Sequence, residues 1–506
     1  MILKQIQYSI NFIITDEAGI NRGQRESKFV KRSGKEFRYR QLAKEIEREI
    51  LSGNYQAGER LPSIRRLHRR TNLSISTIYQ AYVELETMGL VEARPRSGYF
   101  VSPVTLQQIK VPFHRKRSIP PREIQLSSVI NSVVTAINDT ALLPLGMTVI
   151  DAEMLPFKAL SRILKAITQR QLKDLLSYAL SEGSLELKRR MAHRYLGVVE
   201  AISEEDIIIT NGCMEAVALC LLVTVTPGGT VAVEAPTNFT FLQMLKELGL
   251  MVAEVPTDPQ TGLEIQALER LIRRTRIDAC LFMPNFHNPL GALMPDSHKE
   301  ALVRLLNRRG IPLIEDDISA ELHFGHQRPL PLKAFDRDNL VLTCSSFSKT
   351  LAPGLRIGWV LPGGRFRKKI QNLKAGTTVS TSSLDQHVIA QFIGTGSYER
   401  HLRRLRAALG QNMIRTAMAV QKHFPEDTRL SVPEGGSLLW VQLPPGIDGL
   451  DVHQKALARH IAVIPGVVCS NSGLFRNHIQ ISFGMPFTPV VEEGIATLGE
   501  MLTEMS

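Results

Sequence analysis

A lysine stands among hydroxyls in Ser345-Ser346-Phe347-Ser348-Lys349-Thr350, and seven positions on comes Arg356, inside Ala352-Pro353-Gly354-Leu355-Arg356-Ile357-Gly358-Trp359. A lysine held beside a low-dielectric core gives up part of its preference for the charged form, and the neutral amine can form a Schiff base with an aldehyde cofactor. Ser346, Ser348 and Arg356 would then donate to a phosphate on that cofactor. An isolated Ser-x-Ser-Lys is more often a solvated loop. Here the apolar run Leu340-Val341-Leu342-Thr343-Cys344 precedes it and reads as a buried strand, and Pro353-Gly354 forbids a simple helix after it.

Other chemistry-bearing residues also follow short apolar runs. Ile207-Ile208-Ile209-Thr210 leads into Asn211-Gly212-Cys213-Met214, where a glycine at a strand-to-helix turn frees backbone N–H groups for an anion. Val231-Ala232-Val233 leads to Pro236-Thr237-Asn238-Phe239, and Ala279-Cys280-Leu281-Phe282-Met283 leads to Asn288-Pro289-Leu290-Gly291. Ile311-Pro312-Leu313-Ile314 runs into Glu315-Asp316-Asp317. From about residue 140 onward these runs alternate with helical stretches, so the longer part of the chain reads as an α/β domain.

The elements before it are of a different kind. Leu42, Ile46 and Ile50 recur every four residues, one face of a helix that Gly53 can end. Ser63 is placed to cap a second helix bearing Arg65, Arg66, Arg69 and Arg70. Ser74 caps a third, with Ile75, Ile78, Tyr82 and Leu85 on its apolar face and Gly89 after it. A hairpin with the tip Arg94-Pro95-Arg96-Ser97-Gly98 closes the plan of a winged helix-turn-helix, an α+β module. The third helix would turn Ser74, Ser76, Thr77, Tyr79 and Gln80 to a major groove of double-stranded DNA. Gln80 suits adenine, while Arg65 and the wing residues Arg94, Arg96 and Gly98 suit the backbone or the minor groove.

Charge agrees with that division. Residues 1–130 carry 23 Lys+Arg against 12 Asp+Glu and the rest 38 against 37, within an overall +12 over 506 residues. One basic module on a near-neutral body calls for a polyanion partner of the first part alone. A chain of this length exceeds one core. We expect a basic extension over 1–35, the DNA-binding domain over 36–102, a Pro- and Arg-bearing linker over 103–130 and the large domain over 131–506. The five cysteines (Cys213, Cys220, Cys280, Cys344, Cys469) show no paired spacing, and the longest apolar candidate, Ala216 to Val225, is about half a membrane crossing. A cytoplasmic protein with no membrane partner is expected.

Ser-x-Ser-Lys followed by Ala-Pro-Gly-x-Arg-x-Gly-Trp resembles the lysine segment of fold-type-I aminotransferases. With Gly58-Glu59-Arg60-Leu61-Pro62-Ser63-Ile64-Arg65, the chain resembles the MocR-type branch of the GntR transcription regulators. The resemblance implies a winged helix-turn-helix fused to an α/β fold-type-I aminotransferase-like domain that binds pyridoxal 5′-phosphate. It implies Lys349 as the residue joined to the cofactor and Asp316 as partner of the pyridine nitrogen, with Asn288 on the ring oxygen. Gly212, Cys213, Met214, Ser346, Ser348 and Arg356 would surround the phosphate, and Tyr178 would reach a neighbouring subunit's phosphate in a twofold homodimer. Three positions depart from the family pattern: Asn238 where a stacking aromatic is usual, with Phe239 either taking over the stacking or belonging to the core; Ser319 for tyrosine; and Gln480 for the arginine that pairs with a substrate α-carboxylate. Ile75 likewise stands where many GntR members have arginine. The expected function is a regulator that senses a small molecule (an amino acid, an amine or the cofactor itself) and is not a proficient enzyme. A working aminotransferase with an appended DNA-binding domain is the alternative.

Overall fold

The computed structural model describes all residues except 1–37, 52–53, 56–57, 88, 95–96, 102–108, 114–116, 125–127, 171, 201 and 326. The described chain forms two compact units, the first made of residues up to Glu86 with Val91–Val101 and the second of Thr87–Leu90 with the residues from Ser102 on. The expected N-terminal extension lies outside the described residues.

In the first unit, helix α1 (Arg38–Leu51) buries Leu42, Ala43, Ile46 and Ile50, the face that its four-residue spacing predicts. Helix α2 (Ile64–Thr71) begins where Ser63 Oγ accepts from the Arg66 amide at 3.3 Å, and it stops at Asn72, whose φ of 54° is left-handed. Helix α3 (Ile75–Thr87) is capped by Ser74 Oγ, which accepts from the Thr77 amide at 3.1 Å, and it buries Ile78, Ala81, Tyr82 and Leu85. Ile75 departs from the expected apolar face, being 54% exposed, because the first turn of α3 runs past the edge of this small core.

Strands β1 (Val91–Arg94) and β2 (Gly98–Val101) pair antiparallel from Val91↔Val101 to Arg94↔Gly98. Residues 58–61 add a third partner: Leu61 N–H donates to Tyr99 O at 2.8 Å and Val101 N–H to Glu59 O at 2.8 Å. Tyr82 ties α3 to this wing, donating its hydroxyl to Pro62 O and stacking on Tyr99 with ring centroids 4.3 Å apart.

The second unit is built on a large mixed sheet. Its strands are β3 (Ile119–Arg122), β4 (Ile208–Thr210), β5 (Thr230–Ala235), β6 (Met251–Asp258), β7 (Gly262–Leu263), β8 (Ala279–Phe282), β9 (Leu313–Asp316), β10 (Val341–Ser346) and β11 (Gly358–Leu361), in the order β3-β6-β5-β8-β9-β10-β11-β4 with β7 on β6. Strands β6, β5, β8, β9 and β10 are mutually parallel. Strand β11 runs against both β10 and β4, so β4 points the same way as β10. The turns after β4, β5, β8, β9 and β10 therefore leave one edge of the sheet, where α/β folds place ligands.

Helix α4 (Cys213–Thr224) follows β4 and packs Val217, Cys220 and Leu221 on Ile314, Leu342 and Cys344 of the sheet. A second sheet of β12 (Arg429–Leu430), β13 (Leu438–Gln442), β14 (Ile464–Pro465) and β15 (His478–Ser482) shares a core with the helices Ser397–His423 and Pro489–Met505.

Part of the stretch expected as a linker belongs to this unit. Ile109 is buried in its core, the Leu430 amide donates to Lys110 O at 2.9 Å, and β3 forms the sheet edge on β6. Pro120 and Pro121 argue against a central strand but fit an edge, where one side of the strand needs no N–H donors.

Candidate cofactor site and candidate nucleic-acid interface

The strand-end turns surround a cavity of about 470 Å³, lined by Lys349, Asp316, Asn288, Cys213, Ser348 and Arg356 among others. Lys349 Nζ donates to Thr148 O at 2.5 Å and to Thr148 Oγ1 at 2.9 Å. Burial lowers its amine to about 8, against the opposing pull of Asp316. A larger share of neutral amine at physiological pH follows.

Asp316 closes β9. Along that strand side chains alternate, so Glu315 and Asp317 lie on the opposite side of the strand from Asp316. Glu315 accepts from Thr343 Oγ1 at 2.7 Å and the Leu332 amide at 2.6 Å, and Asp317 accepts from Asn285 Nδ2 at 2.8 Å and pairs with Arg328. Asp316 faces the cavity, accepting from the Ile318 amide at 3.0 Å and from Cys213 Sγ at 3.4 Å. Burial raises its carboxyl to about 6, with those two hydrogen bonds drawing it down.

The turn after β4 is shaped for an anion. Gly212 has φ 81°, and a Cβ there would sit 2.3 Å from Arg356 Nη2. Across from it, a Cβ on Gly358 would sit 2.5 Å from Gly212 C. The two glycines let the guanidinium lie against the N-terminus of α4, where Cys213 and Met214 begin the helix. Arg356 donates to Asn211 O at 3.2 Å and to Ser348 Oγ at 3.4 Å, and the Ser348 amide donates to Ser346 Oγ at 3.2 Å.

Cradle, carboxylate and depressed lysine together match what a phosphorylated pyridine aldehyde requires. Cys213, expected beside the phosphate, also directs its thiol to Asp316.

Two of the departures, Asn238 and Gln480, have structural partners. Asn238 caps the helix Phe239–Glu247, its Oδ1 accepting from the Thr240 amide at 3.2 Å. Phe239 belongs to a core cluster with Leu290 and Trp440 and also lines the cavity. Ser319 lines the cavity ahead of a short 3-10 turn. Gln480, 2% exposed on β15, donates Nε2 to Gly146 O at 2.6 Å. Tyr178 is 90% exposed and is not brought to the cavity of its own chain.

Thr148 had no sequence signal, since it meets Lys349 across 201 positions. Gly146 was a faint cue: a Cβ there would sit 2.6 Å from Ile464 N, so glycine lets residues 146–149 run close to β14.

In the first unit Arg65, Ser74, Ser76 and Gln80 are exposed and Thr77 is half-buried. Ser74 Oγ is engaged with Ser76 Oγ at 2.9 Å and Thr77 Oγ1 at 2.7 Å, so it shapes the start of α3. Exposed Ile75 and Tyr79 share this surface. Arg94 donates Nε to Glu92 Oε1 at 2.7 Å and lies 4.3 Å over the Phe100 ring. Gly98 has φ 111°, a conformation that favours glycine. Arg96 lies outside the described residues.

A winged helix-turn-helix in one chain with a fold-type-I aminotransferase-like domain defines the class. Residues 38–101 match the gntR family of bacterial regulatory proteins, and residues 151–486 match aminotransferase class I and II. The chain is 37% identical over 463 residues to the uncharacterized HTH-type transcriptional regulator YjiR of Escherichia coli (strain K12), covering 92% of this chain and 98% of that one. It is 35% identical over 470 residues to the uncharacterized HTH-type regulator YdcR of the same organism, covering 92% and 99%. Among solved structures, the α-aminoadipate aminotransferase LysN of Thermus thermophilus, crystallised with N-(5′-phosphopyridoxyl)-L-leucine, superposes with a TM-score of 0.70 at 26% identity, over 76% of this chain and 96% of that one. The chain belongs to the GntR-family transcriptional regulators that carry a class I and II aminotransferase domain, the MocR type. It is a DNA-binding regulator with a pyridoxal 5′-phosphate-binding domain and a place for a small-molecule ligand. Among the described residues, no helix is long and apolar enough to cross a membrane.

Proposed function

We propose that the second unit holds pyridoxal 5′-phosphate on Lys349 as a sensor of a small ligand, and that the protein is a homodimer acting on DNA in the cytoplasm without proficient transamination. When bound, the cofactor supplies an aldehyde and an electron-withdrawing ring. Lys349 would hold the aldehyde carbon, Asp316 would keep a proton at the pyridine nitrogen, and Asn288 would donate to the ring oxygen. Arg356, Ser346, Ser348 and the backbone N–H groups after Gly212 bind the phosphate. The exposed Tyr178 is available to a partner subunit rather than to its own cavity. Residues 36–102 bind DNA, one copy per half-site, with Arg65 on phosphate and Ser76 and Gln80 toward the groove.

The observation that carries the non-enzymatic reading is Gln480. Its amide is committed to the Gly146 carbonyl at 2.6 Å and stands where a guanidinium would pair with a substrate carboxylate. The test is single-turnover conversion of the cofactor-loaded full chain with a panel of α-amino acids. Slow or absent conversion is expected; fast conversion would promote the aminotransferase alternative.

A further inference from the structure

We propose that the ligand sensed in this cavity is a primary amine with an uncharged body, and that an α-carboxylate on the ligand weakens binding. The inference rests on the cofactor reading above and names the chemistry of the ligand that site takes.

Among the described residues, the lysine and arginine side chains lining the cavity are Lys349 and Arg356. Arg356 is committed to Asn211 O at 3.2 Å, Ser348 Oγ at 3.4 Å and Pro353 O at 3.3 Å, beside the anion cradle at Gly212. His287, also in the lining, is buried with Nε2 3.3 Å from Glu234 Oε2, so a carboxylate already faces it. Gln480, at 2% exposure, turns its amide N–H to Gly146 O. A ligand carboxylate brought into this space would lose water without gaining a cationic partner, which is costly in a largely apolar site.

The acceptors tell the opposite story. Thr148 offers its carbonyl and its hydroxyl to one nitrogen, at 2.5 and 2.9 Å, and that nitrogen is the primary amine of Lys349. The structure thus contains a seat for a primary amine, shown with one in it. A second amine entering as Lys349 is engaged elsewhere finds the same pair of acceptors. Around it Met147, Phe239, Leu438 and Ile464 supply an apolar lining for a hydrocarbon or aryl body.

The test uses the cofactor-loaded full chain and two matched pairs: pentylamine against norleucine, and phenethylamine against phenylalanine. Each pair differs by the α-carboxylate alone. Displacement of the visible absorption band and the shift in melting temperature are both followed, with concentrations counted as neutral amine. Half-saturation at least about tenfold lower for each amine than for its amino acid is expected. Gln480→Arg should narrow or reverse that order. Thr148→Val, which keeps the shape and removes the hydroxyl acceptor, should weaken amines and amino acids alike, several-fold, and leave the ratio within each pair nearly unchanged.

Equal or tighter binding of the amino acids by a protein that shows the band overturns the inference and leaves the cofactor reading standing. Absence of a band that maps to Lys349 removes both. A cation donated by a partner subunit would appear as tight amino-acid binding unaffected by Gln480→Arg, and would also overturn it.

Discussion

Lys349, Asp316, Asn288, Ser348 and Arg356 line one cavity at the edge of the large sheet. At Gln480 and Asn238 the same cavity carries residues occupied in other ways, Gln480 by a backbone carbonyl and Asn238 by a helix cap. The first group suits the cofactor; Gln480 offers no charge to a substrate carboxylate. The residues suited to the cofactor follow β4, β8, β9 and β10, whereas Gln480 lies on β15 of the second sheet, so one can change without the other.

The largest effect is expected at Lys349. Lys349→Ala should abolish the visible absorption band of the purified protein, which a spectrum reads directly. Next in size is Gln480→Arg, expected to speed single-turnover conversion with α-amino acids by about tenfold or more, since charge-assisted hydrogen bonds contribute about 1.5–3 kcal/mol. No gain in the arginine variant would locate the deficit elsewhere.

Titration sharpens the contrast further. With Lys349 lowered to about 8, cofactor uptake by the cofactor-free protein should rise with pH up to about 8 and then level off. A rise continuing past pH 10 would mark an ordinary lysine. Asp316 is raised from 3.8 to about 6. A folded value above the unfolded one means stability present below pH 3.8 and lost as pH rises through about 6. Cofactor-free Asp316→Asn should therefore be no less stable than the natural chain at pH 7 by thermal melting, although it binds the cofactor more weakly.

The DNA-binding unit should respond more gently. Arg65→Ala is expected to flatten the log–log salt dependence of DNA binding by about one unit. Arg94→Ala should flatten it less, because Glu92 already sits against that guanidinium. The smallest effect is set for Asn238→Ala, the loss of a helix cap, at about 1 kcal/mol of stability with the absorption band retained.

What the sequence made legible were residues at the ends of short apolar strands. Lys349, Asp316, Asn288 and Gly212 each follow one, and parallel strands bring such ends together whatever their separation in the chain. The helices of the first unit were legible for a similar reason: their apolar spacing and serine caps are local signals.

Contacts without a local signal were hidden. Thr148 reaches Lys349 only through tertiary folding, and the Cys213 thiol turns to Asp316 across 103 positions. Strand β3 was hidden by its own composition, since Pro120 and Pro121 read as linker until the strand is seen at a sheet edge. Ile75 obeyed the helical period yet is exposed, because periodicity gives the face of a helix and not how far the core extends along it.

Reductive labelling shows which lysine holds the cofactor in this regulator. The full chain loaded with pyridoxal 5′-phosphate is reduced with borohydride, digested, and the labelled peptide is sequenced. The expected result is loss of the visible band with the label on Lys349. A label on any other lysine, or none on a protein that shows the band, would contradict the assignment of Lys349.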